Sequence, residues 1–223
     1  MGKRVLLGVT GGISAYKSVD IVRGLFSLGH QVVVVMTSNA TRFVQPRCFF
    51  GVPVHCDMWN DHTPLYNQDS LLSTDIVHVD LASWAEVFVV APATANVIGK
   101  FAHGIADDLI STFHLALPEC VTKIMYPAMN TRMFEHPAVQ QNMKVLRFRG
   151  WDIQRPDTGQ LACGATGVGK LPNPRKIVEY VGSVLGDKAT VQIGNPLFRK
   201  PCRWENLADF IGLSIANILP FER

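Results

Sequence analysis

Three side chains stand in settings that could do chemistry. His78 lies in Val77-His78-Val79-Asp80-Leu81-Ala82-Ser83-Trp84-Ala85, Asn130 in Tyr126-Pro127-Ala128-Met129-Asn130-Thr131-Arg132-Met133-Phe134, and Cys163 in Ala162-Cys163-Gly164-Ala165-Thr166-Gly167-Val168-Gly169-Lys170. A histidine with an ordinary pKa of about 6.5 moves protons at neutral pH. An asparagine amide binds a carboxylate without adding charge that would hold it back from leaving as CO2. A thiol in a polar, glycine-rich setting can hand a proton to carbon, whereas Cys48, Cys56, Cys120 and Cys202 read as small buried hydrophobes.

A second cluster suits a phosphate. Gly8-Val9-Thr10-Gly11-Gly12-Ile13-Ser14 follows the first apolar run and opens the first helical stretch. Backbone N–H groups there attract an anion, and Gly11 and Gly12 allow close approach. The pattern is not GxGxxG, and the second run ends in Thr37-Ser38-Asn39 rather than an acidic residue that would hold a dinucleotide ribose. Hydroxyls in that place favour a mononucleotide. Thr94, Ala95, Asn96 and Val97, after another apolar run, add small and polar groups where doubly wound sheets bind ligands. Gly164 to Lys170 also fits the first seven positions of a P-loop, but Leu171 replaces the Ser/Thr that would hold magnesium, and Pro172 interrupts the helix that should follow.

The elements that must position these groups alternate. Apolar runs at Val5 to Val9, Val32 to Met36, Val87 to Ala91 and Ile124 to Tyr126 are separated by segments long enough for helices. The expected fold is therefore a single-domain α/β doubly wound parallel sheet, Rossmann or flavodoxin-like, with helices on both faces. The spacing predicts a helix over Ser14 to Leu28, with Val19, Val22, Leu25 and Phe26 inward and Gly29 at its end. Further helices are expected from Pro137 to Arg149 and, capped by Asn173, from Pro174 to Leu185. The Gly- and Pro-rich stretch Pro156 to Asn173 reads as a functional loop too irregular for an ordered element.

Composition narrows the classes. With 223 residues, 48% of them hydrophobic, the chain can bury one sizeable core. A net charge of +3 with scattered Lys and Arg gives no footprint for nucleic acid. No apolar run is long enough for a signal peptide or a membrane span. Five cysteines without CxxC or zinc spacing suit a reduced, cytoplasmic protein, and no metal site is expected.

The Asn130 segment resembles the PxMNxxMW motif of the homo-oligomeric flavin-containing cysteine decarboxylases, with Phe134 in the aromatic place. The Cys163 segment resembles that family's ACGxxGxGR element with Lys170 for Arg, and His78 matches its HxxLxxWA context. The likeness runs over residues 3 to 185, so a domain of residues 1–189 and an extension of residues 190–223, with a helical stretch near 207–219, are expected.

The resemblance implies FMN as cofactor, lined by Gly11, Gly12, Ile13, Ser14, Thr37, Ser38, Thr94, Ala95, Asn96, Val97 and Asp107, with Ala128 and Met129 beside the ring. It implies His78 as the essential base, Asn130 as the carboxylate ligand and Cys163 as the proton donor while reduced flavin returns hydride to turn an enethiol into a thiol. That last step separates the enzyme acting on phosphopantothenoylcysteine in coenzyme A synthesis from peptidyl-cysteine decarboxylases, which stop at the enethiol. Flavin prenyl transfer and a regulatory, non-catalytic role are the other readings. Lys170, Arg132 and Lys100 are candidates for a substrate phosphate; Met133 and Phe134 fit either a clamp or packing. A homotrimer or dodecamer is implied.

Overall fold

The computed structural model describes residues 2–58, 77–162 and 164–187; Cys163 and the extension 190–223 lie outside the described residues. Arg4–Val9 (β1), Gln31–Met36 (β2), Val54–His55 (β3), Val87–Ala93 (β4), Thr122–Pro127 (β5) and Trp151–Ile153 (β6) form one parallel sheet in the order β3-β2-β1-β4-β5-β6. Near-continuous β-branched runs such as Val32 to Val35 suit strands buried on both faces. Val5 stands opposite Val32 on one side and Val87 on the other, so β1 and β4 are the central pair. Between them the strand order reverses, which opens a crevice at their carboxyl ends.

Helices cover both faces. Val77–Trp84 (α2), Ala95–His103 (α3), Leu109–Ala116 (α4) and Pro137–Phe148 (α6) share a core with Leu6, Phe88, Val90 and Met125 of the strands. Phe88 is its centre, meeting Phe113 edge-on at 4.9 Å. Alternation along the strands turns Val5, Leu7, Val34, Val89 and Ile124 to the opposite face, where Ser18–Ser27 (α1) packs against Pro174–Leu185 (α7). That contact needs Gly24, because a Cβ there would come 2.6 Å from a Val178 methyl. Asn173 caps α7, its side chain accepting the Arg175 N–H, as expected.

Three expectations are corrected. Cys48 and Cys120, expected as small buried hydrophobes, are exposed, and Cys56 is half-buried. Ile13–Lys17 is a 3-10 turn and α1 starts only at Ser18, so the helical phase shifts. The buried stripe becomes Ile21, Val22, Gly24 and Leu25; Val19 is only half-buried and Phe26 is 59% exposed. The stretch Pro156 to Asn173 is not irregular: Asp157–Gln160 (β7) and Thr166–Lys170 (β8) pair as an antiparallel hairpin, separate from the main sheet. Lys170 thus ends a strand, and the next helix starts only at Pro174 rather than at the lysine, which removes the P-loop reading.

Candidate functional site

The crevice between β1 and β4 is held by hydroxyls. Thr10 Oγ1 donates to the Pro92 carbonyl oxygen at 2.8 Å and accepts the Thr94 N–H at 3.0 Å. Ser18 Oγ donates to the Ala91 carbonyl oxygen at 2.7 Å. Thr94 in turn caps α3 through the Val97 N–H. Two backbone N-termini therefore face one crevice: the turn after Gly12, which has no side-chain cap, and the first turn of α3 at Ala95 and Asn96. Gly11 lies against the end of β2, where a Cβ would come 2.5 Å from Asn39 Cβ, and this close approach brings Thr37 and Ser38 beside the turn. Uncapped amides with convergent hydroxyls suit a phosphate ester, so these residues fit the phosphate end of FMN.

The second part of the site is built by β5 and the hairpin. After β5, Ala128 N–H donates to the Ala93 carbonyl oxygen and Met129 N–H to that of Gly169, at 3.0 and 2.9 Å. Asn130 opens Thr131–Glu135 (α5), its Oδ1 accepting the Arg132 N–H at 2.9 Å. Gly169 has φ +140°, and a Cβ there would sit 2.0 Å from the Met129 carbonyl oxygen, so only glycine fits.

A cavity of about 560 Å³ lies between this second part and the turn after Gly12. Ile13, Ser14, Ala128, Met129 and Asn130 line it together with the hairpin residues Gln160 to Ala162 and Gly169 to Leu171. The Gly-rich turn, the Asn130 segment and the Lys170 segment, far apart in sequence, thus face one space.

Charge in this cavity is positive. Lys17 and Lys170 both line it. Burial holds the Lys17 ammonium below the usual lysine range, the nearby charge of Lys170 adds to this, and Asp157 opposes it. An anion between the two lysines would relieve both effects. Lys100, by contrast, is committed to Asp107 and Asp108 at 2.6 and 2.7 Å. Burial alone would lower its pKa, yet those two carboxylates outweigh it and raise it. Asp107 is more than half exposed and its carboxyl is held below the usual range by the Lys100 hydrogen bond. Asp108 spends its side chain on a reciprocal cap with Ser111 at the start of α4.

Other expected residues fall elsewhere. Neither His78 nor Arg132 is among the cavity's lining residues, and of the expected cofactor residues only Ile13, Ser14, Ala128 and Met129 are. His78 is half-buried on α2, a helix whose Val77, Leu81 and Ala82 point into the core. Met133 is exposed while Phe134 packs against the core, so the two do not act as one clamp surface in the chain. Sequence reasoning missed Thr10, Ser18 and Lys17. All three flank the Gly11-Gly12 turn, and the hydroxyls at positions 10 and 18, one before and one after it, were the available signal. His30 was also missed: buried, it accepts the Lys3 N–H and meets Asp187 at 2.8 Å, tying the start of β1 to the end of α7.

The Flavoprotein family model matches residues 1–186 of this chain. The coenzyme A biosynthesis bifunctional protein CoaBC of Bacillus subtilis is 43% identical over 180 residues, 79% of this chain and 42% of that protein. The chain therefore spans about two-fifths of the length of such bifunctional relatives. A probable phosphopantothenoylcysteine decarboxylase of Streptococcus mutans is 36% identical over 184 residues, covering 81% of this chain and 98% of the relative. Among solved structures, a cysteine-to-serine mutant of PPC decarboxylase complexed with pantothenoylaminoethenethiol matches with a TM-score of 0.72 at 27% identity, over 84% of this chain and 100% of that one. With the fold, the crevice and these likenesses in agreement, the chain belongs to the Flavoprotein family, alongside the flavin-dependent cysteine decarboxylases.

Proposed function

We propose that this protein decarboxylates 4'-phosphopantothenoylcysteine to 4'-phosphopantetheine and CO2, with FMN as cofactor, in coenzyme A synthesis in the cytoplasm. The observation that carries this reading is the single cavity in which the Ile13–Ser14 turn, Ala128 to Asn130 and the inner side of the hairpin meet. Gly11, Gly12, Ile13, Ser14, Thr37, Ser38 and Thr94 to Val97 would hold the cofactor's phosphate end, with Asp107 at the rim and Ala128 and Met129 against the ring. When bound, FMN supplies two-electron chemistry: oxidation of the cysteinyl side chain creates an acceptor for the electrons that CO2 leaves behind.

The chain's own groups do the rest. With Asn130 Oδ1 turned to the Arg132 N–H, its amide NH2 is the end suited to a substrate carboxylate oxygen. Leu161, Leu171 and Met129 give the cavity apolar surface that strips water from that carboxylate, which favours its loss as neutral CO2. Lys17 and Lys170 are assigned to the substrate phosphate, leaving Arg132 and Lys100 without that role. His78 takes the proton of the substrate thiol, and Cys163 returns a proton to carbon; the two electrons removed in the first oxidation would come back from the reduced flavin, so that the product is the saturated thiol and the cycle is redox neutral.

Since His78 does not line the cavity of its own chain, we assign it to the cavity of a neighbouring copy in a homotrimer or a dodecamer. An absorbance spectrum of the purified protein, followed by mass analysis after adding 4'-phosphopantothenoylcysteine, tests the reading. Bound flavin and loss of CO2 to the saturated thiol are expected. A flavin-loaded protein that leaves the substrate intact would overturn the assignment. Cys163→Ser should still release CO2 but yield the enethiol.

A further inference from the structure

We infer that Thr131 is a positioning residue, locking the β7–β8 hairpin to the segment that carries Asn130; its catalytic consequence rests on the decarboxylase reading above. A two-stranded ribbon is at best marginally stable alone, and β7–β8 is a sheet of its own, so its place over the cavity must be set by what it docks on. Thr131 Oγ1 donates to the carbonyl oxygen of Val168 at 2.8 Å. One residue further along β8, the carbonyl oxygen of Gly169 accepts the Met129 N–H at 2.9 Å. Two neighbouring carbonyls of the hairpin are thus gripped by the residues on either side of Asn130.

The sequence of β8 is shaped to this grip. A Cβ on Gly167 would come 2.2 Å from Thr131 Oγ1, and one on Gly169 would come 2.0 Å from the Met129 carbonyl oxygen. The Gly167-Val168-Gly169 spacing is the imprint of Met129-Asn130-Thr131 pressed against it. Asn130 faces the cavity from one wall, and Gln160, Leu161 and Lys170 face it from the hairpin. The Thr131 hydroxyl sets the separation of these walls, hence whether the carboxylate and the far end of one substrate are reached together.

Two substitutions separate the hydroxyl from the shape. Thr131→Val keeps the branched side chain and removes the donor, leaving the Val168 carbonyl without it. Thr131→Ser keeps the donor. In the full-length, flavin-loaded protein, Thr131→Val should speed amide hydrogen exchange of residues 166–170 by about fivefold, with the global melting temperature within about 2 °C of wild type. It should raise KM for 4'-phosphopantothenoylcysteine by a similar factor of about five, with a smaller change in kcat, and Thr131→Ser should restore both. Unchanged exchange in Thr131→Val would overturn the lock, as would a Thr131→Ser variant as loose as the valine one. Faster exchange with an unchanged KM would overturn the positioning role. If the wild-type protein does not decarboxylate the substrate, the activity assignment fails by itself and the exchange measurement still decides the lock.

Discussion

The Thr10 hydroxyl donates to the Pro92 carbonyl oxygen across 2.8 Å, bridging the carboxyl ends of β1 and β4 where the strand order reverses. Thr10 Oγ1 also accepts the Thr94 N–H at 3.0 Å, so one buried side chain fixes how far apart the turn after Gly12 and the start of α3 stand.

Thr10→Val should therefore orphan one donor and one acceptor in a place closed to water. Each such group costs about 1–3 kcal/mol, so the variant should melt markedly lower and lose flavin on gel filtration. Calorimetry and the flavin-to-protein absorbance ratio check both; a variant that keeps its flavin would show that the bridge does not set the site.

Gly169→Ala and Gly164→Ala make a matched pair, since both glycines have positive φ but only the first lacks room. At Gly164 a Cβ meets nothing within 4 Å, so alanine should cost about 1 kcal/mol of backbone strain. Gly169→Ala must also push the Met129 carbonyl away, and should abolish turnover. Steady-state rates and thermal melts of the two variants, side by side, distinguish strain from collision.

Lys17→Met and Lys170→Met should each raise KM for the phosphorylated substrate by about tenfold, the worth of one screened charge–phosphate contact. Pantothenoylcysteine, which lacks the phosphate, should be handled almost as by wild type. Equal losses on both substrates would remove the lysines from phosphate recognition.

His78→Asn and Asn130→Asp should each be inactive alone, the aspartate retaining the α5 cap while losing the amide donor. Co-expressed in equal amount, they should recover about a quarter of wild-type activity, the fraction of sites that draw an intact His78 and an intact Asn130 from different copies. No recovery would place both residues in one chain's site.

His114 makes stability pH-dependent. It is stacked between Phe101 and Trp151, with ring centroids 4.1 and 5.5 Å away, and accepts the Trp151 Nε1–H at 3.3 Å. Burial first, then the charges of Lys123 and Arg149, pull its pKa from 6.5 down to about 4. Between those values the unfolded chain binds a proton that the folded chain refuses. The stabilisation is whole above about pH 6.5 and is lost progressively as pH falls to about 4, to a total of about 3 kcal/mol. Urea melts at pH 7.5, 5.5 and 4 should show this slope, and His114→Phe should flatten it.

What the sequence made legible was what local pattern controls. The valine runs identified β1, β2 and β4 because a strand buried on both faces tolerates little else. Asn173-Pro174 marked α7 because a cap and a first-turn proline act within a few residues. The β7–β8 hairpin escaped because its glycines answer to contacts from Met129 and Thr131, more than thirty positions away, rather than to strand propensity. Likewise Phe26 was misplaced by a change of helical period at Lys17, and Lys17 became a site residue only once the turn pointed it at Lys170. The turn at Gly11 and Gly12 was visible; the hydroxyl bridges that hold it depend on β4 lying beside β1, a long-range fact.

Because the hairpin shares no ladder with the six-stranded sheet, insertions or rewritten side chains in β7–β8 leave every parallel pairing intact. What ties the ribbon to the rest of the molecule is its contact with Met129 and Thr131, through Val168 and Gly169 of β8. On the proposed function, a lineage of such proteins could drift from one carboxylated thiol to another by editing the ribbon's positions outside that contact, while the turn that would hold the cofactor stays under undivided selection.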